Sequence, residues 1–359
     1  MDTPETKSTW TQRRRQDINA LLTLNQPNRP WHIALIATIG MAIPAVIGVL
    51  VGDMANAILA CVGTMVILYI PRTSIHHRMV TLAVCAFGIT ACFTLGLVAG
   101  FNPYASAFVL AFTAILADFI CRYYAIPAPG NFFFIFLTAL GCTLPFAMDL
   151  IPMRLGLVAL GGMLSCLLAF VYSLSVTLSA PTPVAAVEKN IFRIILESSV
   201  LGLFVGGSFL LAELLGLDKP YWVPISCAAI MQGANFKMVW HRNVHRIGGT
   251  AIGMGLAWCI FSLPLQGWSF AAAVILLFFI VELLVVRNYG LAVIFITPLT
   301  MLLAEGSASR VLHESLVVTR MGDILLGSAI GFVGGWVMHH PKILTYAEQK
   351  LSSRKSSEH

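Results

Sequence analysis

The chain has 359 residues, 58% of them hydrophobic and 11% charged, and its mean hydropathy of +0.85 lies well above that of soluble domains. That balance excludes a water-soluble enzyme or binding module and marks a membrane protein. The net charge of +6 does not indicate nucleic acid, because the basic residues stand between apolar runs and their placement carries the information.

Residues 1–30 are polar and carry Arg13, Arg14 and Arg15, with no small-residue cleavage site ahead of a short apolar core. The first apolar run is therefore expected to stay in the mature protein. A hydrocarbon core of about 30 Å takes about 20 helical residues. Runs of this kind follow near 32–51, 55–70, 79–100, 104–121, 131–148 and 154–177. Beyond a linker at 179–193, six more stand near 194–216, 221–236, 247–264, 268–286, 289–304 and 321–338, and a polar tail occupies 339–359.

The expected fold class is thus an all-α integral membrane protein with about twelve transmembrane helices. They form two parallel six-helix repeats, 31–178 and 194–338, with both termini cytoplasmic. In this orientation all but four of the 22 Lys and Arg lie on the inner side, the exceptions being Arg154, Lys219, Arg310 and Arg320. One span more or fewer would destroy the asymmetry.

The repeat is visible in short matches that keep their order. "HHR" (76–78) returns as "VHR" (244–246), "ADFICRYY" (117–124) as "VELLVVRNY" (281–289), "IFLTAL" (135–140) as "IFITPL" (294–299), and "RLGLVALGG" (154–162) as "RMGDILLGS" (320–328). Six is an even number, so both copies enter the membrane in the same direction, related by an axis along the membrane normal. A pathway between the halves is the natural place for a substrate.

The stretch "HRNVHRIGGTAIGMG" (241–255) sets two His and two Arg against a glycine-rich apolar run. A phosphate-cradling loop would follow a strand and end in Gly-Lys-Ser/Thr, and this one does neither. His241 and His245 share a helical face, but no acidic or Cys partner accompanies them, and the eight Cys include no Cys-x-x-Cys pair, so no metal or cofactor is expected. What remains is a cytoplasmic mouth with Arg242 and Arg246 at headgroup depth and glycines that let the next helix pack closely. Arg78 matches Arg246 in the repeat, and together they are expected to form one electropositive vestibule.

Carboxylates inside a span are costly and so are functional candidates. Asp118 lies four residues before Arg122, the spacing of a helical ion pair. Glu282, its counterpart, lies five before Arg287, about 140° around the helix, which leaves Glu282 the better candidate for proton coupling and Asp118 the second. Asp323 follows Arg320 by three residues and reads as a local pair. No ionisable residue falls at the middle of an expected span. The centre offers Ser226, Thr297 and Pro298, where proline frees a backbone carbonyl. The Phe residues of "GNFFFIFL" (130–137) point around the whole helix, so most should face lipid or neighbours. Tyr221, Trp222, Trp31 and Trp268 stand at span ends and fit an interfacial belt.

With "KPYWVPISCAAIMQ" (219–232) ahead of it, this stretch resembles the fusaric-acid-resistance-like family, related to bacterial aromatic acid exporters. The residues that carry the likeness are Tyr221, Trp222, Arg242, Arg246, Gly249 and Thr250. The first half keeps only "HHRMVTL". The resemblance implies a non-enzymatic, multi-pass inner-membrane transporter exporting aromatic or other organic anions. Its expected binding residues are Arg78, Arg246, Arg242, Ser226, Thr297, Pro298, Tyr221 and Trp222. The expected partners are a small organic anion and the lipid bilayer, with a homo-oligomer left open. A passive anion channel is the alternative within transport; a membrane scaffold or an enzyme of lipid-linked substrates lies outside it.

Overall fold

The computed structural model describes residues 23–26, 29–175, 186–188, 190–305 and 314–340. Among them are twelve α-helices and no strand. The first six are α1 (Trp31–Val51), α2 (Met54–Gly63), α3 (Ile75–Ala99), α4 (Pro103–Tyr123), α5 (Phe132–Thr143) and α6 (Ile151–Ser175). The last six are α7 (Ile191–Leu214), α8 (Trp222–Met231), α9 (Phe236–Phe261), α10 (Trp268–Leu284), α11 (Tyr289–Glu305) and α12 (Glu314–Met338).

Local chemistry sets several of these ends. Asp53, Asn102, Asn190 and Asn235 each accept a backbone N–H at the start of α2, α4, α7 and α9, satisfying donors the helix leaves open. Gly52 ends α1 in the left-handed region at φ 76°.

Six segments are long and apolar enough to cross a membrane: Trp31–Val51, Ile75–Ala99, Pro103–Tyr123, Met148–Ser175, Ile191–Leu214 and Thr319–Met338. Several of the others are shorter than their apolar runs. α2 passes into a 3-10 turn over Thr64–Tyr69, α5 stops at Thr143 and α8 at Met231. The largest departure concerns α9, expected from 247 but starting at Phe236. A cut made at charged residues discards helical turns that carry them, and Asn235 caps the true start.

The surface is inverted relative to a water-soluble protein. Phe87, Phe108, Leu50 and Leu203 are exposed, whereas Ser165, Ser198, Thr250, Arg78, Asp118 and Glu282 are buried. That arrangement suits lipid outside and polar groups satisfied inside.

Each half packs in a corresponding way. In the first, α2 lies on α6, α3 on α5, and α3 on α6; in the second, α8 lies on α12, α9 on α11, and α9 on α12. Between the halves, α4 packs on α7 and α10 packs on α1. Two apolar clusters follow the same plan, one built mainly from α4, α5, α7 and α8, the other from α10, α11, α1 and α2. The close approaches also correspond. A Cβ on Gly161 of α6 would stand 2.1 Å from the Ala60 carbonyl oxygen of α2, and one on Gly327 of α12 would stand 2.3 Å from that of Val223 on α8.

Candidate functional site

A cavity of about 2380 Å³ runs along the bundle and is lined from both halves. A pocket for one small molecule measures roughly 300–1,000 Å³, so this cavity is larger than a single small-molecule site. One end is lined by Arg29, Arg242, Glu282 and Tyr289, at or near the starts of α1, α9 and α11 and the close of α10. The other is lined by Arg154, Glu213, Asp218 and Lys219, around the start of α6 and the α7–α8 turn.

Helical spacing brings the lining residues onto common faces. Arg242, Arg246 and Thr250 recur every four residues on α9, Trp222, Ile225, Ala229 and Gln232 follow one face of α8, and Phe132, Phe136, Leu140 and Thr143 follow one face of α5. All four Phe residues of this stretch pack against neighbouring clusters, as expected, and three of them, 132, 133 and 136, also line the cavity. Phe132 and Phe136 are stacked at 6.4 Å, while Phe134 meets the edge of Tyr69.

Arg246 is 6% exposed and lines the cavity. It lies ten residues into α9, about 15 Å along the helix, and not at its mouth. The charge is therefore mid-helix, where the sequence suggested none. Its Nη2 donates to Ser226 Oγ at 3.1 Å, and its Nε has no hydrogen-bond partner among the described residues. None of the ion pairs among the described residues involves Arg246 or Arg242. Leaving a buried cation without an anion costs several kcal/mol. Arg242 donates to the Ala229 carbonyl at 3.0 Å and lies 5.3 Å from the Tyr289 ring centroid, closing the C-terminal end of α8 against α9.

Tyr221 and Trp222 are 6% and 3% exposed and form cavity wall, which corrects their placement in an interfacial belt; Trp31 and Trp268 are exposed and fit one. Thr297 also lines the cavity. Its hydroxyl donates to the Val293 carbonyl within α11. Pro298 does not line the cavity, and neither does Ser226, which enters the site through Arg246. Proline at 298 leaves the Ile294 carbonyl without its helical donor, and that oxygen faces Gly253 of α9. The break serves a close helix contact.

Arg78 does not share a vestibule with Arg246. It is 2% exposed and absent from the cavity wall. It donates to the carbonyls of Pro71 and Thr73 and to Ser173 Oγ. It ties the loop after α2 to α6, and its donors have structural acceptors.

The two carboxylates differ. Asp118 pairs with Arg122 at 2.6 Å, as its spacing implied, and also accepts from Asn131 at 2.6 Å and Ser198 at 2.8 Å, away from the cavity. Arg122 reaches on to Glu197 at 2.5 Å, and Glu197 meets Arg193 at 2.8 Å, fastening α4 to α7. Glu282 lines the cavity and pairs with Arg29 at 2.9 Å. The spacing to Arg287 argued against a local pair and no other partner was expected; the partner comes from the segment ahead of α1.

Sequence reasoning passed over Arg320. Set at the edge of a span and matched with Asp323, it is in fact 5% exposed and lines the cavity, because α12 begins at Glu314 and carries it inside. Its Cζ stands 3.3 Å from the Trp222 ring centroid, and its Nη2 donates to Thr300 Oγ1 at 2.6 Å. The matched "RLG" and "RMG" openings of the repeat were the available signal.

This wall of arginines and aromatics falls within a recognised sequence pattern. Residues 207–334 match the fusaric acid resistance protein-like family. An uncharacterized membrane protein of Bacillus subtilis (strain 168), YvaC, is 35% identical over 132 residues, 37% of this chain. The matched part spans about a fifth, 21%, of that relative's length. No solved structure matches the chain. The family match takes in Trp222, Arg242, Arg246, Glu282, Thr297 and Arg320, and with them the second-half contribution to the cavity wall.

Proposed function

We propose that this membrane protein exports organic anions, aromatic carboxylic acids foremost, across the bacterial inner membrane. The chain is read as twelve spans in two parallel six-helix repeats with both termini cytoplasmic, and the anion moves along the cavity between them. The observation that carries the reading is Arg246, a buried cation on the cavity wall that, among the described residues, has no partner for its Nε and no carboxylate in ion-pair distance. A carboxylate passing along the cavity supplies the missing acceptor. The stacked Phe132 and Phe136 and the buried Tyr221 and Trp222 favour a ligand with an aromatic body. The paired packing of the halves supports the repeat.

Proton coupling is assigned to Glu282. It lines the cavity with one ion-pair partner, whereas Asp118 is held by three donors off the pathway. A passive channel is the second reading, favoured by a cavity whose lining reaches both ends of the bundle.

The test is uptake of benzoate and a panel of aliphatic carboxylates into everted membrane vesicles, with and without an imposed proton gradient. Accumulation that follows the gradient supports coupled export. Equilibration alone supports the channel, and no movement of any anion overturns both.

A further inference from the structure

Trp222 and Ser226 are successive turns of one face of α8, and each is met by an arginine from a different helix. Arg246 reaches Ser226 from α9, and Arg320 reaches from α12 to cover the Trp222 ring while donating to Thr300 of α11. Four residues separate the two anchors, about 6 Å along the helix axis. The Trp222 level is the one nearer the cavity end lined by Asp218 and Lys219.

Among the described residues, Arg246 Nε and the indole Nε1 of Trp222 beside these anchors find no acceptor. Both belong to cavity-lining residues more than nine-tenths buried. Buried donors are satisfied in the great majority of cases, so two such exceptions on the walls of one cavity leave room for an acceptor beyond the described residues. Asp323 is buried three residues further along α12 but does not line the cavity, so it does not fill this space.

We propose that Arg320, Trp222 and Thr300 form a second carboxylate subsite in series with the one at Arg246, so that the cavity holds two organic monoanions at once. This rests on the anion reading given above. The indole N–H and the Arg320 guanidinium grip the second carboxylate, and Thr300 keeps the guanidinium over the ring. A volume of about 2380 Å³ leaves ample room for two small aromatic acids. Two like charges a turn apart weaken each other's hold. That is the condition under which an anion enters readily and still leaves, by displacement from the next site.

Equilibrium dialysis of radiolabelled benzoate against the purified full chain in detergent tests this. Wild type is expected to saturate at two benzoates per chain, and Arg320→Gln and Arg246→Gln at one each, with the remaining site in Arg320→Gln within about threefold of its original affinity. Thr300→Val, which leaves every charge in place, is expected to weaken one of the two sites about tenfold and stands in should Arg320→Gln not fold. Saturation of wild type at one per chain overturns the second subsite, as does an Arg320→Gln chain that still binds two. Wild type that binds no carboxylate at all overturns the anion reading itself, a result distinct from either.

Discussion

Arg29 Nη1 and Glu282 Oε2 meet at 2.9 Å across 253 positions of sequence. The carboxylate is 4% exposed and the arginine 20%, so the acid is the more enclosed of the two. The nearby backbone bond from Asn25 N to the Arg287 carbonyl, at 2.9 Å, holds the same segment against the end of α10. Removing one side leaves the other buried and unpaired. Arg29→Gln is expected to destabilise by somewhat less than the roughly 3–5 kcal/mol of a fully enclosed pair, because Arg29 keeps part of its side chain in solvent. The double variant with Glu282→Gln should recover part of that loss, with a coupling energy of roughly 0.5–3 kcal/mol. Thermal unfolding in detergent measures both. Strictly additive losses would show that the two groups do not depend on each other. In vesicles, Glu282→Gln alone should leave anion equilibration in place and remove its response to a proton gradient.

The adjacent glycines of "RIGGT" should behave oppositely. A Cβ on Gly249 would stand 2.8 Å from the Gly290 carbonyl oxygen and 2.9 Å from Val293 Cβ, whereas one on Gly248 meets nothing within 4 Å. Gly249→Ala must push α11 away from α9, a distortion of the kind that costs roughly 1–3 kcal/mol, and it should lower transport by shifting Thr297. Gly248→Ala relieves backbone freedom in a helix without a clash and should be neutral or stabilising by up to about 1 kcal/mol. Unfolding midpoints of the two variants decide it. Equal losses would mean that α9 and α11 are not packed through Gly249.

Arg78 and Arg246 close the similar strings "HHR" and "VHR" but hold different work. Arg78→Gln gives up donors to two loop carbonyls and to Ser173. Its loss should lower stability and reduce movement of anionic and neutral solutes alike. Arg246→Gln gives up one bond to Ser226 and a cation facing the cavity. It should weaken carboxylates by the 1.5–3 kcal/mol typical of a charged hydrogen bond, with neutral analogues such as benzamide little changed. Parallel uptake of benzoate and benzamide separates the two patterns. An Arg246→Gln chain that loses both equally would assign Arg246 to folding.

The sequence exposed those features that depend on local spacing. Apolar runs located the helices, and four-residue spacing paired Asp118 with Arg122. It failed where a charge sits inside a helix. Cutting the chain at charged residues started α9 and α12 too late and so misplaced Arg246 and Arg320. It also missed Arg29 as the partner of Glu282, because nothing local relates positions 253 apart. Tyr221 and Trp222 show the same limit: an aromatic pair at a span end has one composition whether it meets headgroups or lines a cavity, and only packing from α12 and α9 tells them apart.

Phe136 gives the aromatic preference a direct test. It stacks on Phe132 at 6.4 Å with the rings 10° from parallel, and both line the cavity on one face of α5. Stacking of this kind contributes roughly 0.5–1.5 kcal/mol beyond the area it covers. That is about a 2- to 12-fold effect on binding at 1.4 kcal/mol per factor of ten. Phe136→Leu keeps an apolar side chain of similar bulk and removes the ring. It should therefore lower the ratio of benzoate to hexanoate uptake by this factor while leaving hexanoate itself within about twofold. Competition between the two acids in everted vesicles gives the ratio directly. An unchanged ratio would remove the α5 face from substrate contact and leave Trp222 and Tyr221 as the aromatic wall.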